Sequence, residues 1–435
     1  MIQVGVGPVQ TDSQPRGLAP TCATLASGVT VVARETRTTP AVTLSVNLRA
    51  GTAFDLADAD GLAHFVSRTI DRGTERYSAD EIAEQLDGRG VTLSASVGRH
   101  LLSLACTCLV EDFDDVLGLL AEIVMRPTFP ALEVERRRGE IVTLIRQDED
   151  SPAVVAIEAL MPMLYGEGHP YGRRVRGRVE TVERIDSHAL QTFHAEHCVP
   201  SALSLAFVGD IEPGRAIDAA RVAFEGWNRR AAAQPAYPPA PVPGARRRRV
   251  VPMMNKSQTD IAYGFVAIAR SDPAYYAYWL MNNILGQYSL GGRLGDRIRE
   301  QQGMAYYVFS SLDANLLPGP LVIRAGVSPS NVEKAVASID DELRTLVEKG
   351  PTEQELAESK QYLIGSMPRT LETNQGIASF LQTIEFFGLG LNYDVRVPDL
   401  LRAVTRDEVH EAARRAIDPE RATVVVAGPY EGSLP

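Results

Sequence analysis

Three residues in the stretch GLAHFVSRTIDRGT (Gly61 to Thr74) have the spacing of a chemical site but not its usual residue types: His64, Ser67 and Arg68. Positions i, i+3 and i+4 share one face of a helix. A neutral imidazole on that face can bind a metal ion or move a proton. The serine hydroxyl has a poor pKa for a general base at neutral pH, and a guanidinium stays charged at any working pH. A fixed cation one turn from an imidazole repels a metal ion rather than holding it. The pair His194 and His197, three residues apart, could also share a helix face, but packing is the stronger reading. His100, His169, His188 and His410 have no neighbour at ligand spacing.

The bulk sequence limits what else these groups can be. At 435 residues the chain is too long for one ordinary core, so two domains are expected. A net charge of −11 argues against general affinity for nucleic acid or anionic membranes. No apolar run approaches the roughly 20 residues of a membrane-spanning helix. Four cysteines make no disulfide framework, and Cys106 and Cys108 alternate in an apolar run, so both point into a core. The runs Arg136-Arg137-Arg138 and Arg246 to Arg249 read as solvated surface. The opening MIQVGVGPVQTDSQPRG carries no basic segment followed by an apolar one. A cytoplasmic location is therefore expected, or a periplasmic one if the sequence has been trimmed.

The elements that must position these residues come in two similar series. In the first, strands read at 28–33, 41–48, 91–97 and 101–109, with helices at 113–124, 132–147 and 187–197 and a closing strand at 203–209. Ser78 with Glu81 forms a capping box that opens a further helix. Residues 228–247 are rich in proline and alanine and read as a linker between domains at 1–227 and 248–435. Beyond it the order returns, with strands at 260–267, 306–312, 321–327 and 422–427, and helices at 274–285, 332–349, 352–366 and 406–416. The fold class expected is α+β, with two tandem homologous domains.

The flanks Gly61-Leu62-Ala63-His64-Phe65 and Gly73-Thr74 resemble the pitrilysin and mitochondrial-processing-peptidase family of zinc metallopeptidases, and the resemblance runs across essentially the whole chain. That family's signature is H-x-x-E-H, two zinc-binding histidines and a general base on one helix face. The resemblance implies domains that are mostly antiparallel sheets, each covered on one side by helices. It places Ser67 at the general-base position and Arg68 at the second histidine. Alignment on Asp150-Ser151-Pro152 puts Leu144 where a glutamate would be the third ligand. Glu140 and Asp148 lie one turn to either side, leaving a shifted carboxylate open. A catalytic zinc normally takes three protein ligands, so no metal is expected on this chain.

A second family signature is retained in LGDRIREQQGMAYYVFSS (Leu294 to Ser311), an arginine and a tyrosine seven residues apart, Arg299 and Tyr306. By resemblance, the Tyr306 hydroxyl helps bind the scissile carbonyl or its oxyanion, and Arg299 contacts peptide backbone. A phenol donor and a fixed cation suit developing negative charge. Gly286, Gly291 and Gly292 would let the preceding segment bend beside a substrate, and strand 91–97 matches the edge to which a peptide adds. Tyr307 faces the other side of its strand, as a structural tyrosine would. The pattern implies the non-catalytic subunit of a heterodimeric zinc endopeptidase acting on short or unfolded peptides. Its partner would be a homologous chain with an intact H-x-x-E-H and the zinc; in isolation this chain could form a homodimer. The alternative is an inactive scaffold or peptide-binding homologue, akin to respiratory-complex core subunits.

Overall fold

The computed structural model describes residues 17–56, 58–230, 237–241, 243–287 and 292–432. Its first series runs β1 (Thr21–Thr24), β2 (Thr30–Glu35), β3 (Ala41–Leu48), α1 (Leu62–Thr69), α2 (Ala79–Asp87), β4 (Ser94–Val97) and β5 (Leu102–Leu109). It continues through α3 (Phe113–Met125), α4 (Ala131–Glu149), α5 (Pro152–Tyr165), α6 (Val179–Val182), α7 (Ser187–His197), β6 (Leu203–Gly209) and α8 (Pro213–Ala223). The second series opens with β7 (Arg247–Pro252), β8 (Thr259–Val266), α9 (Tyr275–Asn282), β9 (Ala305–Leu312) and β10 (Pro320–Val327). It closes with α10 (Val332–Lys349), α11 (Glu353–Thr370), α12 (Asn374–Phe386), α13 (Tyr393–Ala403), α14 (Arg406–Ala416) and β11 (Thr423–Gly428).

The two series build the same sheet. The first has strand order β1-β2-β6-β3-β5-β4 and the second β7-β11-β8-β10-β9. With β1 set aside, each strand of one sheet has a counterpart in the other. The parallel pairs β2–β6 and β7–β11 correspond, and the remaining pairs in these matched orders are antiparallel. The edge strands β4 and β9 correspond as well. The fold is α+β, as the sequence pattern and the resemblance imply.

The faces of the sheets left bare by their own helices are covered reciprocally. Along β6, Leu205 and Phe207 point into the first core, while Ala206 and Val208 join a cluster with Ile377, Leu381 and Ile384 of α12. In the second sheet, Ala262, Val322, Val425 and Ala427 pack against Ala156, Leu160 and Leu164 of α5. Each series therefore lends one helix to the other's sheet, where one-sided cover was expected. This explains why β6 and β11 are buried along their whole length and apolar apart from Ser204 and Thr423. Burial of the three large α12 side chains contributes roughly 5 to 9 kcal/mol before entropy is set against it. Gln382, on the same helix, donates from Nε2 to the Ser45 and Ser204 carbonyls at 2.9 and 3.1 Å.

Several local expectations change. The strand expected at 91–97 pairs only over Ser94–Val97, because Val91 turns into the core instead. The arginine run at 246–249 is not merely solvated: Arg247 to Arg249 lie in β7, and Arg246 pairs with Asp340 at 2.9 Å over the Tyr263 ring. Arg138 likewise packs over Phe65 and has a half-buried bond to the Val182 carbonyl. Cys106 and Cys108 are buried side by side on one face of β5. Among the described residues no helix is long and apolar enough to cross a membrane. Residues 231–236 and 242 of the expected linker, and Gly291, lie outside the described residues.

Candidate functional site

The helix α1 is positioned by backbone contacts that only small residues allow. Gly61 precedes it with φ of 95°, and a Cβ there would lie 2.5 Å from the Arg176 carbonyl oxygen. Gly177, also at positive φ, faces it, so the segment 173–177 lies directly against the start of α1. Asp55 accepts from the Gly61 and Ala63 amides at 2.9 and 2.8 Å, satisfying free N–H groups at the helix start. Burial pushes the Asp55 carboxyl up to about 7, against these bonds. The loop carrying Gly51 to Ala53 is hydrogen-bonded to residues 98–100, which fixes the turn after β4 beside the same helix.

A cleft of about 580 Å3 lies over the outer face of α1. His64, Ser67 and Arg68 line one wall, the edge residues Ala95, Ser96 and Val97 another, and Asp148 and Glu158 a third. His64 Nε2 is buried and has no hydrogen-bond partner among the described residues. Burial, with Arg176 and then Arg68 nearby, holds its pKa down to about 4, although Asp148 opposes the shift, so the imidazole is neutral near pH 7. Ser67 is turned back on its own helix, its hydroxyl donating to the His64 carbonyl at 2.7 Å. Arg68 reaches across to Glu140 of α4 at 3.5 Å.

The helix α4 resolves which carboxylate stands where. Leu144 is half-buried and contributes no metal-binding atom, and it is not among the described residues lining the cleft. Glu140 is held by Arg137 at 2.6 Å, and its carboxyl is pulled below the usual range chiefly by that bond. Asp148 does reach the cleft, where it is paired with Arg176. A zinc site does not fit this arrangement: one neutral imidazole faces one carboxylate already held by a guanidinium. A second guanidinium, that of Arg68, stands one turn from the imidazole. No cluster of three metal-binding side chains occurs among the described residues.

Four of the other histidines have structural partners. His194 Nε2 meets the Val124 carbonyl at 2.8 Å, and burial holds it down to about 4. His197 packs between the Phe54 and Phe193 rings. His100 is bonded to the Tyr171 hydroxyl at 2.6 Å, and His169 accepts from the Tyr171 amide at 3.0 Å.

Arg299 and Tyr306 lie in the second series, and neither is among the described residues lining the cleft. Arg299 sits in the wide π-type turn Gly295–Gln301, where its Nε donates to Glu300 at 2.9 Å. Tyr306 is 68% exposed on the edge strand β9. The register there slips: Ala305 faces Val327 while Tyr307 faces Gly326, which leaves Tyr306 at the irregularity. Such bulges re-aim a side chain at a sheet edge. Tyr307 turns the other way and donates to Asp260. The helix motif does not point to the segment 173–176, which brings Arg173, Arg174 and Arg176 to the cleft beside Arg99. The signal was visible as the run Gly172-Arg173-Arg174-Val175-Arg176-Gly177-Arg178.

Comparison with known proteins gives a consistent result along the chain. A family model described as insulinase (peptidase family M16) matches residues 30–176, and one described as peptidase M16 inactive domain matches 184–363. An uncharacterized zinc protease of Streptomyces coelicolor is 25% identical over 415 residues, covering 94% of this chain and 89% of the relative. One of Mycobacterium tuberculosis is 27% identical over 430 residues, covering 96% and 95%. A crystal structure of a peptidase M16 inactive domain from Pseudomonas fluorescens superposes with a TM-score of 0.88 at 26% identity, covering 96% of this chain and all of that one.

Proposed function

The chain belongs to the insulinase family, peptidase family M16, and from that premise we propose that it is the non-catalytic subunit of a two-chain zinc endopeptidase. The observation that carries this reading is Arg68. By the family resemblance its guanidinium takes the position of a metal-binding imidazole, and it lies beside a His64 that burial and two arginines keep neutral. The partner is then a homologous chain with an intact H-x-x-E-H, which supplies the zinc and the general base. This chain supplies substrate-holding groups. Tyr306, exposed at the bulge of β9, donates a hydrogen bond to the scissile carbonyl or its oxyanion, and Arg299 contacts the peptide backbone. The open edge of β4, paired only with β5, suits an extended peptide added as a further strand. The substrates in this reading are short or unfolded peptides.

The test is reconstitution. The chain is mixed with an M16 homologue from the same genome that bears the intact motif, and hydrolysis of a quenched fluorescent peptide is followed. Activity is expected from the mixture and not from this chain alone. Tyr306→Phe is expected to lower kcat by about 100-fold, the scale of losing one oxyanion donor. Full turnover by both Tyr306→Phe and Arg299→Ala mixtures would remove their proposed role. One observation favours an inert scaffold instead: Arg68–Glu140 and Arg176–Asp148 fill the site with ion pairs. That reading predicts that no partner mixture becomes active.

A further inference from the structure

The charges facing the cleft do not cancel. Five arginines, at positions 68, 99, 173, 174 and 176, line it against the carboxylates Asp148 and Glu158, in a chain whose net charge is −11. Arg174 takes Glu158 at 3.0 Å, and Arg176 takes Asp148. Arg68 shares Glu140 with Arg137, which holds that carboxylate more closely. Arg99 and Arg173 form no close ion pair among the described residues: Asp313 acts on Arg99, and Asp60 and Asp55 on Arg173, only from beyond contact distance. Arg99 donates to the carbonyls of Pro170 and Arg173, both at 2.8 Å, and lies over the Tyr171 ring. Arg173 donates to the Asp55 carbonyl, while the Asp55 carboxylate is taken by the amides at the start of α1. These bonds fix both guanidinium groups in place without neutralising them. A half-buried cation held in this way attracts an anion strongly, because the site excludes part of the water that would screen it.

The same cleft is bounded by Ala95, Ser96 and Val97 of the edge strand β4, whose small side chains leave space beside an open row of backbone groups. An extended peptide lying there has its backbone on β4 and its side chains or terminus over the arginines. We propose that the dismantled metal site is an anion seat, which takes a carboxylate of an extended peptide where catalytic relatives hold a cation. The proposal rests on the peptide-binding reading above and adds the class of peptide: acidic, through a side chain or the free C-terminus.

The proposal is tested by fluorescence anisotropy of the full chain with four N-terminally labelled octapeptides, carrying Glu or Gln at one central position, each with a free or an amidated C-terminus. Binding of at least one carboxylate-bearing peptide is expected to be at least tenfold tighter than that of the amidated Gln peptide. Raising KCl from about 50 to about 200 mM should weaken that binding selectively, since this is screening of a charge contact. Loss on amidation assigns the terminal carboxylate, and loss on Glu→Gln assigns the side chain. Arg173→Gln, which removes one of the two guanidinium groups held by backbone carbonyls, should bring all four affinities within about threefold while leaving the amidated Gln peptide unchanged. Arg99→Gln gives the same readout should the first variant fail to fold. Equal binding of all four peptides to the unmodified chain would overturn the anion seat and leave peptide binding standing. Absence of binding by every peptide would overturn both.

Discussion

At the scale of the residue, the loss of metal chemistry turns on two positions that can be reversed. Leu144 lies on one face of α4 between Glu140 and Asp148, four residues from each, and α4 packs against α1. Arg68→His would place a second imidazole one turn from His64 and remove one of the two cations that depress its pKa. Leu144→Glu would add a carboxylate on the facing helix. Two imidazoles and a carboxylate are a sufficient set for a catalytic-type zinc, and one fewer is not. The double variant is therefore expected to retain about one zinc per chain after dialysis, measured by plasma emission, while Arg68→His alone retains far less than one. Stoichiometric zinc on the unmodified chain would refute the reading of Arg68. The helix motif made His64, Ser67 and Arg68 legible in the sequence, because i, i+3 and i+4 are local geometry. The arginines of 173–176 are not legible in the same way as part of that site. Nothing local says that a loop so far along the chain will be held against α1 by the facing glycines Gly61 and Gly177.

At the scale of the element, most strands and helices follow from periodicity and caps, and the departures have physical causes. The capping boxes at Ser78, Thr352 and Thr405 form with both reciprocal bonds, and they start α2, α11 and α14. The strand β7 was hidden because RRR reads as solvated, yet an edge strand tolerates charge on its open side. The helices α12 and α13 carry no sign of where their apolar residues go. For α12 the answer is the sheet of the other series, reached across more than 150 positions of chain, as the bond from Gln382 to Ser204 illustrates. That exchange is open to test. Gln382→Ala leaves two buried carbonyls without their shared donor, at a cost of about 1 to 3 kcal/mol. At the counterpart contact, a Cβ on Gly264 would lie 2.9 and 3.0 Å from the ends of Leu160 and Leu164, side chains that can yield a little. Gly264→Ala is thus expected to be mild, and Gly264→Ile to cost about 1 to 3 kcal/mol through overpacking. Thermal melts should show Gln382→Ala and Gly264→Ile several degrees lower and Gly264→Ala nearly unchanged. A wild-type melt for Gln382→Ala would mean that α12 is not held as described.

At the scale of the whole molecule, the same burial that silences the histidines makes the fold sensitive to acid. His64, His100 and His194 are each held down to about 4, chiefly by burial, from an ordinary value near 6.5. Each therefore contributes stability that is fully present above pH 6.5 and is lost as the pH falls toward 4, because the unfolded chain binds the proton first. Asp55 works in the opposite sense. Its carboxyl is raised from 3.8 to about 7, so the folded chain binds that proton first, and stability is lost as the pH rises through that window. The windows overlap between pH 4 and 6.5, where these three histidines, joined by the lowered His169 and His197, outnumber the raised carboxyls of Asp55, Asp60, Asp71 and Glu158, and the net effect is destabilisation by acid. The three histidines stand in separate surroundings, His64 at the cleft, His100 against Tyr171 and His194 against Val124, so the loss is distributed across the first series. The melting temperature is expected to fall steadily from pH 6.5 to pH 4.5, before most carboxylates titrate. His194→Gln, which keeps a donor for the Val124 carbonyl but cannot take up a proton, should flatten that slope while lowering the melt at pH 7.5. A melting temperature that is level from pH 7 to pH 5 in the unmodified chain would refute neutral burial of these histidines.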